Sequence, residues 1–426
     1  MTRPILSAKR VDQLSFAENL ADLLPLHPHS QLAVIGGGPA GLRAAEVAAT
    51  AGLQVILYDG KPSVGRKLLV AGKGGLNLTH GEALDRFVTR YSGPGQPAEI
   101  WPSLLAGFDP AALRRWAADL VVETFQAATG RVYPQELKAA PLLRRWVRRL
   151  RDRGVRFVMN HRWTALNPGP PYQLGFANGA AATADAVILA LGGASWAETG
   201  SDGGWTRIFE KLGIAHHPLV PANCGWEHEW PPAVLARAEG QPLKNLHVHA
   251  GDATAIGELL VTRYGLEGGV IYQLGATLRA MPAPAIVIDF KPTFTHAQLV
   301  AKMESVRRNF LDEARIRWRL SAAACAILSR HPWADAASLA RETKQCVIPL
   351  LRSRPIDEAI SSAGGVCWSE IDTALMVKKF PGLFVAGEMI DWEAPTGGYL
   401  LQGCFATGTR AAQSAAQWLG ACLKNR

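Results

Sequence analysis

The sequence predicts an α/β fold in which a Rossmann-like nucleotide-binding domain is divided into two segments by an insertion. An apolar run at residues 32–35 leads directly into a glycine-rich turn, a helix of small residues and a second apolar run at residues 55–58. Apolar strands joined by a helix in this way are typical of a parallel sheet that is covered on both faces. From about residue 214 to residue 349, short strand-like runs and turns replace this pattern, and it returns after residue 350.

The predicted organisation therefore has four parts. Residues 1–30 form an N-terminal extension, residues 31–213 the first segment of the nucleotide-binding domain, residues 214–349 the inserted domain and residues 350–426 the second segment. A length of 426 residues agrees with two or three domains. No oligomeric state is predicted.

The composition favours a cytoplasmic protein without a membrane span. The six cysteines are scattered, which is typical of reduced thiols, and no signal peptide or long apolar run is present. The formal net charge is +9, from 45 basic and 36 acidic residues. Such a balance can indicate a nucleic-acid partner, but no nucleic-acid-binding motif accompanies it, so an arginine-rich surface is the favoured explanation.

The glycine-rich turn has the spacing of a dinucleotide-binding fingerprint. Gly36, Gly38 and Gly41 form the pattern G-x-G-x-x-G between the first strand and the helix, with Pro39 and Ala40 inside it. The first glycine permits the tight turn, the second lets backbone approach a pyrophosphate, and the third lets helix and strand pack closely. The helix N-terminus offers unpaired N–H groups to the phosphates. Asp59, at the end of the next strand, is placed to accept hydrogen bonds from a ribose.

The C-terminal segment favours FAD over NAD as the cofactor. Residues 382–386 form an apolar strand that ends in Gly387 and Glu388, with Asp391 close behind. In two-segment FAD folds a second strand end of this kind reaches the ribityl chain, where a carboxylate accepts hydrogen bonds from hydroxyl groups. No second G-x-G-x-x-G is present, so a separate NAD domain is not predicted.

Several longer blocks resemble the BaiN-like (YhiN-type) family of bacterial flavoproteins, over nearly the whole chain from about Gln31. The blocks lie at residues 65–69, 72–79, 130–134, 191–196, 199–203, 257–262, 264–266, 387–391 and 395–402. The resemblance implies a glutathione-reductase-type FAD fold with a small β-barrel and a helical piece in the insertion. Much of the family has Arg-Cys-Asn where this chain has Gly75-Leu76-Asn77, so a thiol role beside the flavin is not transferable. This difference suggests a subgroup whose substrate differs from that of the bile-acid-linked members.

The motifs and the resemblance together predict further contacts with the cofactor. Cations after the second strand are expected to neutralise phosphate, a tryptophan to lie near the adenine, and a strand end and two glycines to lie near the flavin ring. A final helix, predicted over residues 400–419 with Gly420 as its stop, is expected to direct its N-terminus at the ring and stabilise reduced flavin. The predicted contacts are Gly60, Lys61, Arg66, Lys67, Asn77, Trp163, Ala190, Leu191, Gly192, Gly397, Gly398, Tyr399 and Leu400.

These features predict an FAD-dependent oxidoreductase that acts on a small organic molecule. The resemblance implies that NAD(P)H reaches the flavin from an open pocket. No catalytic acid or base is assigned, although His80, Lys73 and Tyr399 lie near the predicted ring, and no metal site is predicted. One alternative is a nucleic-acid-modifying flavoprotein, suggested by seven arginines within residues 144–156. Another is a flavin-binding protein without turnover.

Overall fold

The computed structural model describes residues 30–424. The predicted N-terminal extension thus lies outside the described residues except for Ser30, which begins the first strand. Among the described residues, none of the helices combines the length and the apolar character that crossing a bilayer requires.

The main sheet has seven strands, in the order β6-β2-β1-β9-β8-β7, with β18 also paired to β9. Strands β6, β2, β1, β9 and β18 are parallel, whereas β8 and β7 are added antiparallel at one edge. The long strand β9 pairs with β8 through its first half and with β18 through its second half. The strands are β1 Ser30–Ile35, β2 Val55–Tyr58, β6 Arg156–Val158, β7 Trp163–Asn167, β8 Tyr172–Phe176, β9 Ala181–Leu189 and β18 Leu383–Val385.

Buried apolar side chains explain why these runs form central strands. Leu32, Val34, Leu57 and Ile188 are completely buried, as a sheet covered on both faces requires. One hydrophobic cluster extends from Leu32 to Leu419 and joins both chain segments. The two-segment Rossmann-type fold predicted from the sequence is confirmed.

The helices of this part cover the sheet or lie in its connections. A three-stranded sheet, β3 Thr79–His80, β5 Arg131–Pro134 and β4 Thr124–Gln126, lies between them. The helices are α1 Pro39–Thr50, α2 Arg66–Ala71, α3 Leu84–Val88, α4 Ile100–Gly107, α5 Pro110–Asp119, α6 Ala139–Asp152, α7 Thr206–Leu212 and α15 Tyr399–Lys424.

The final helix is longer than predicted. It continues through Gly420 to Lys424, so the predicted stop at Gly420 is wrong. A glycine inside a helix costs only about 1 kcal/mol relative to alanine, and burial of the helix, with Leu419 only 6% exposed, outweighs that cost.

The insertion contains the predicted β-barrel. Its six-stranded sheet has the order β11-β14-β13-β12-β15-β16, and the backbone after β16 returns to β11: the Glu227 N–H donates to the Arg352 carbonyl (2.8 Å) and the Leu351 N–H to the Glu227 carbonyl (2.8 Å). The strands are β11 Trp226–Glu227, β12 Pro242–Ala250, β13 Ala253–Thr262, β14 Gly265–Glu267, β15 Ala285–Asp289 and β16 Cys346–Pro349.

Seven helices accompany the barrel among the described residues. They are α8 Pro232–Ala238, α9 Gly269–Gln273, α10 Gly275–Ala280, α11 His296–Ala301, α12 Phe310–Arg317, α13 Ala322–Leu328 and α14 Ala336–Lys344. Barrel and helices share a second hydrophobic cluster, from Trp226 to Leu350. A two-stranded antiparallel sheet, β10 His216–Ala222 and β17 Ser361–Val366, flanks the barrel on both sides in the chain. The exact division at residues 214 and 349 stays a prediction.

Candidate functional site

A cavity of about 400 Å³ opens where β1, β2, β9 and β18 end. Both segments of the Rossmann part line it. The predicted residues that line it are Gly36, Gly38, Pro39, Ala40, Asp59, Gly60, Lys61, Arg66, Lys67, Trp163, Ala190, Leu191, Gly192, Gly387 and Glu388.

The glycines of the fingerprint have different surroundings. Gly36 has φ +104°, and a Cβ there would lie 2.3 Å from the Ala190 carbonyl oxygen. A Cβ at Gly41, which does not line the cavity, would lie 1.9 Å from the Gly36 carbonyl oxygen. A Cβ at Gly38 would instead meet no atom within 4 Å. Gly36 and Gly41 therefore allow strand and helix to meet, whereas Gly38 leaves space on the cavity side.

The first turn of α1 carries unpaired donors at this space. The helix begins at Pro39, and its N-cap residue, Gly38, supplies no side-chain cap. The first N–H groups of a helix have no partner within the helix and attract an anion.

The Asp59 carboxylate holds the glycine turn from the other side. Its Oδ2 accepts from the Gly37 N–H and its Oδ1 from the Lys61 N–H, each at 2.8 Å. Burial raises the pKa of Asp59, and these two backbone hydrogen bonds oppose the rise. Carboxylate oxygens have about four acceptor positions in total, so Asp59 keeps capacity for a hydroxyl donor in the cavity.

The second chain segment forms part of the cavity wall beside α1 and α2. Gly387 has φ +80°, and a Cβ there would lie 2.9 Å from the Ala40 Cβ. Glu388 Oε2 lies 3.1 Å from Lys67 Nζ, so the lysine predicted to neutralise phosphate is paired with a carboxylate. Two residues that are 321 positions apart thus share one wall of the cavity.

The lining residues fit a dinucleotide such as FAD. Two buried donors that line the cavity, Arg66 Nε and Trp163 Nε1, have no hydrogen-bond partner within residues 30–424. Buried donors are normally paired, so an acceptor is expected there. Together with the space at Gly38 and the Asp59 carboxylate, these groups match the phosphates and hydroxyls of a dinucleotide.

Six other predicted contacts, besides Gly41, do not line this cavity. Gly398 packs against another segment of the protein, since its Cβ would lie 2.5 Å from the Thr79 Cα. Asp391 pairs with His217. Asn77 Oδ1 is buried and has no partner among the described residues. The six are Asn77, Asp391, Gly397, Gly398, Tyr399 and Leu400.

Two residues considered for acid–base chemistry belong to a hydrogen-bonded cluster. The Tyr399 hydroxyl donates to Glu82 Oε1 at 2.6 Å, and Arg90 donates to both oxygens of that carboxylate. The His80 ring stacks on Tyr399 and faces the Thr129 carbonyl through Nε2. Burial raises the pKa of Tyr399. These hydrogen bonds occupy the Tyr399 hydroxyl and the His80 ring nitrogen. Lys73, the third residue considered, is exposed and does not line the cavity.

Sequence reasoning missed one wall of the cavity. Thr199, Gly200, Ser201 and Asp202 line it, although the block at residues 199–203 entered the resemblance without an assigned role, and Gly204, just after that block, lines it too. Arg162 also lines it and pairs with Asp202 at 2.6 Å.

Helix α7 supplies two further cationic side chains to the cavity lining. Arg207 and Lys211 both line the cavity, and their i, i+4 spacing places them on one helix face. That spacing was the signal available in the sequence, but the segment carried no recognised motif.

Comparisons with known proteins agree with this site. A family model described as the HI0933-like protein Rossmann domain matches residues 30–414. The 3-dehydro-bile acid delta(4,6)-reductase of Clostridium scindens is 27% identical over 421 residues, covering 91% of this chain and 99% of that protein. The ribosomal RNA dihydrouridine synthase of Escherichia coli is 24% identical over 420 residues, covering 89% and 96%.

The solved structures include a 3-ketosteroid-delta4-(5alpha)-dehydrogenase from Rhodococcus jostii. It has a TM-score of 0.51 at 16% identity, covering 93% of this chain and 98% of that one, which shows a shared fold. The family match spans nearly all of the described residues and both segments that line the cavity. The chain therefore belongs to the HI0933-like Rossmann-domain family.

Proposed function

We propose that this chain reduces a carbon–carbon double bond conjugated to a carbonyl group, with FAD as the bound cofactor and NAD(P)H as the donor. The observation that carries the proposal is the single cavity lined by the glycine turn of residues 36–41 and by Gly387 and Glu388 from the distant second segment. When bound, FAD supplies the two-electron chemistry, and the protein supplies position and electrostatics.

The chain's own residues define how FAD would be held. Asp59 and Trp163 lie at one end and would receive the adenosine half. The turn around Gly38 and the first turn of α1 would receive the pyrophosphate, with Arg66 as a buried cationic donor. Gly387 and Glu388, at the other end, would receive the ribityl chain, and Lys67 would hold the Glu388 carboxylate in place.

The substrate class follows from what the two relatives share. One is named as a reductase of delta(4,6) double bonds in a 3-dehydro-bile acid, and the other as a synthase of dihydrouridine in ribosomal RNA. Both names describe saturation of a double bond near a carbonyl group, in a steroid and in a uracil ring. We therefore infer the same reaction class for this chain. The donor is assigned to NAD(P)H because the resemblance to the BaiN-like family implies it, and because no second dinucleotide fingerprint is present we place it in the open pocket rather than in a separate NAD domain.

Ribosomal RNA is the second candidate substrate. The 24% identical relative and the net charge of +9 favour it. The arginines of residues 144–156 support it less than their number suggests, because several have partners within the protein. Arg149 and Arg153 pair with the buried Glu46, and Arg151 lies over the Phe157 ring. A small organic enone is therefore the preferred substrate.

The first test is anaerobic spectroscopy of the purified protein reconstituted with FAD. We expect stoichiometric flavin, bleaching by NADH or NADPH, and recovery of the oxidised spectrum on addition of 4-androstene-3,17-dione or 2-cyclohexen-1-one. Failure to bind FAD would contradict the cofactor assignment. Bleaching without recovery by either enone would contradict the substrate class.

A parallel experiment addresses RNA. Uridine-containing ribosomal RNA fragments are incubated with the reduced holoenzyme and analysed for dihydrouridine by mass spectrometry, while binding is measured against salt concentration. A steep loss of affinity with rising salt, together with dihydrouridine, would favour RNA as the substrate. Retention of uridine would leave the small enone as the substrate class.

A further inference from the structure

A histidine is paired with a buried carboxylate that follows Glu388, a residue of the cavity lining, by three positions. His217 Nδ1 is 2.5 Å from Asp391 Oδ2. The Asp391 side chain is only 2% exposed, whereas that of His217 is 50% exposed. The carboxylate fixes the imidazole through Nδ1, so Nε2 is the nitrogen left to act, and it has no partner among residues 30–424.

Strand β17 connects this pair to the cavity wall. The Ala194 N–H donates to Ser362 Oγ at 3.1 Å, and Ala194 lies two residues after Gly192, which lines the cavity. The other end of β17 is hydrogen-bonded to residues 390–391, where the Asp391 N–H donates to the Val366 carbonyl at 3.0 Å.

His217 lies on the neighbouring strand, β10, opposite Gly365. Glu388 lines the cavity, and Asp391 follows it by three residues. The pair therefore belongs to the end of the site that would hold the flavin, away from the adenosine end at Asp59.

We propose that His217, positioned by Asp391, is the proton donor of the reaction, an inference that rests on the proposed function. Saturating a conjugated double bond requires a hydride at the β carbon and a proton at the α carbon. Reduced FAD, when bound, would supply the hydride, and NAD(P)H would return the flavin to its reduced form. The π bond breaks, its electron pair moves to the carbonyl side, and the α carbon takes the proton from Nε2 of protonated His217. Solvent then returns a proton to the exposed imidazole.

The surrounding groups suit this assignment. Cys367 Sγ lies 3.7 Å from His217 Nδ1, and burial raises the pKa of this thiol, so it stays neutral beside the imidazole. Asp391 is then the carboxyl group in direct contact; burial raises its pKa, and the hydrogen bond with His217 opposes the rise. Glu370 acts electrostatically on Cys367, and Glu393 on Asp391, without contacting His217. A histidine oriented by a buried carboxylate is a common arrangement for proton transfer.

The test separates flavin reduction from substrate reduction. FAD in the holoenzyme is photoreduced anaerobically and mixed with 4-androstene-3,17-dione or 2-cyclohexen-1-one, and flavin reoxidation is followed. We expect His217→Gln to slow reoxidation about 100- to 1,000-fold, with FAD affinity unchanged. His249→Gln, which alters an exposed histidine on the barrel, serves as the matched control and should react like the wild type.

The same reaction tests the positioning role of Asp391. Asp391→Asn should lower the limiting rate of reoxidation at saturating enone about 10-fold or more while leaving the half-saturating enone concentration unchanged, because the imidazole loses the carboxylate that fixes it through Nδ1. An unchanged limiting rate would contradict this role. Equal reoxidation rates for His217→Gln and the wild type would overturn the proposal while leaving the proposed function intact.

A second measurement needs no turnover. Carbethoxylation by diethylpyrocarbonate is mapped by mass spectrometry in the oxidised holoenzyme, with and without 4-androstene-3,17-dione. We expect the enone to slow modification of His217 several-fold and to leave His249 unchanged. Equal modification of His217 under both conditions would overturn its placement at the substrate. A wild-type enzyme that reduces neither enone would instead overturn the proposed function.

Discussion

Gly38 and Gly41 lie three residues apart in one turn, yet a methyl group would meet different surroundings at each. At Gly38 the backbone has φ −76°, which alanine adopts readily, and a Cβ would face open space. At Gly41 the Cβ would press into the Gly36 carbonyl oxygen at 1.9 Å. One glycine is thus required by the ligand and the other by the fold.

Gly38→Ala is expected to weaken FAD binding by about tenfold or more without changing the stability of the apoprotein. The added methyl group occupies the space assigned to the pyrophosphate, and overpacking a close contact costs about 1–3 kcal/mol. Titration of the apoprotein with FAD and urea unfolding without FAD measure the two effects.

Gly41→Ala is the matched comparison and should lower the free energy of unfolding of the apoprotein by about 1–3 kcal/mol or more, because backbone must move. If both variants lost stability equally, or if Gly38→Ala bound FAD normally, the distinct roles of the two glycines would be wrong.

Sequence reasoning located the residues whose roles depend on their immediate neighbours. Gly36, Gly38 and Asp59 were predicted because turn geometry and strand ends have local signatures. The pairing of Lys67 with Glu388, or of His217 with Asp391, joins residues 321 and 174 positions apart. No local pattern encodes such pairs, since each depends on how the two chain segments meet.

At the scale of elements, one buried carboxylate links helices α1 and α6. Glu46 is 2% exposed; its Oε2 accepts from Trp116 Nε1 at 2.8 Å and from Trp146 Nε1 at 3.1 Å. Arg43 donates to it at 3.1 Å, whereas Arg149 makes its 2.6 Å ion pair without an N–H aligned for a hydrogen bond. Burial lowers the pKa of both arginines, and Glu46 opposes this.

Glu46→Gln should lower the free energy of unfolding by about 3 kcal/mol, because it leaves buried guanidinium groups without a counter-charge. Glu136→Gln removes the exposed partner of Arg145, a residue of α6, and should change the free energy of unfolding by less than about 0.5 kcal/mol. Chemical denaturation of both variants provides the comparison, and similar losses would contradict the assigned importance of burial.

The contact between α15 and residues 80–90 predicts a pH dependence. Hydrogen bonds from Arg90 hold the pKa of Glu82 below its ordinary value of 4.5, and Tyr399 assists. A carboxyl whose pKa is lower in the folded state stabilises the fold above the unfolded pKa, and this contribution is lost as pH falls through the folded pKa. Glu82→Gln should therefore flatten the stability profile below about pH 4.5. Exposed Glu123 provides the control, and an unchanged profile for Glu82→Gln would refute the assignment.

At the scale of the whole molecule, the sequence predicted both parts of the fold but not how they are joined. The apolar strands and glycine turns have clear local signals, and the change of pattern near residue 214 indicated the insertion. The joining contacts involve Arg279 of α10, which donates to both oxygens of Glu393 at 2.6 and 2.7 Å and to the Pro221 carbonyl at 3.1 Å. An arginine in a short helix carries no signal of such a partner.

Arg279→Gln should loosen the barrel from the Rossmann part. We expect a loss of about 1–3 kcal/mol and faster limited proteolysis in residues 223–225 and 350–356, because a charged pair that is about one-fifth exposed is removed. Arg317→Gln, which breaks an exposed pair within α12, should leave the cleavage rate unchanged. Equal cleavage of Arg279→Gln and the wild type would show that apolar contacts alone hold the parts together.

The hydrogen bond from the Arg354 N–H to the Gly225 carbonyl, at 2.8 Å, brings the entry and the exit of the barrel side by side. A segment whose ends meet in this way can be exchanged for another of different size without moving the host's strands. The Rossmann part can then stay the same among relatives while the inserted barrel is replaced. Grafting barrels between relatives with the join at residues 225 and 354 should therefore leave FAD binding by the host part unchanged.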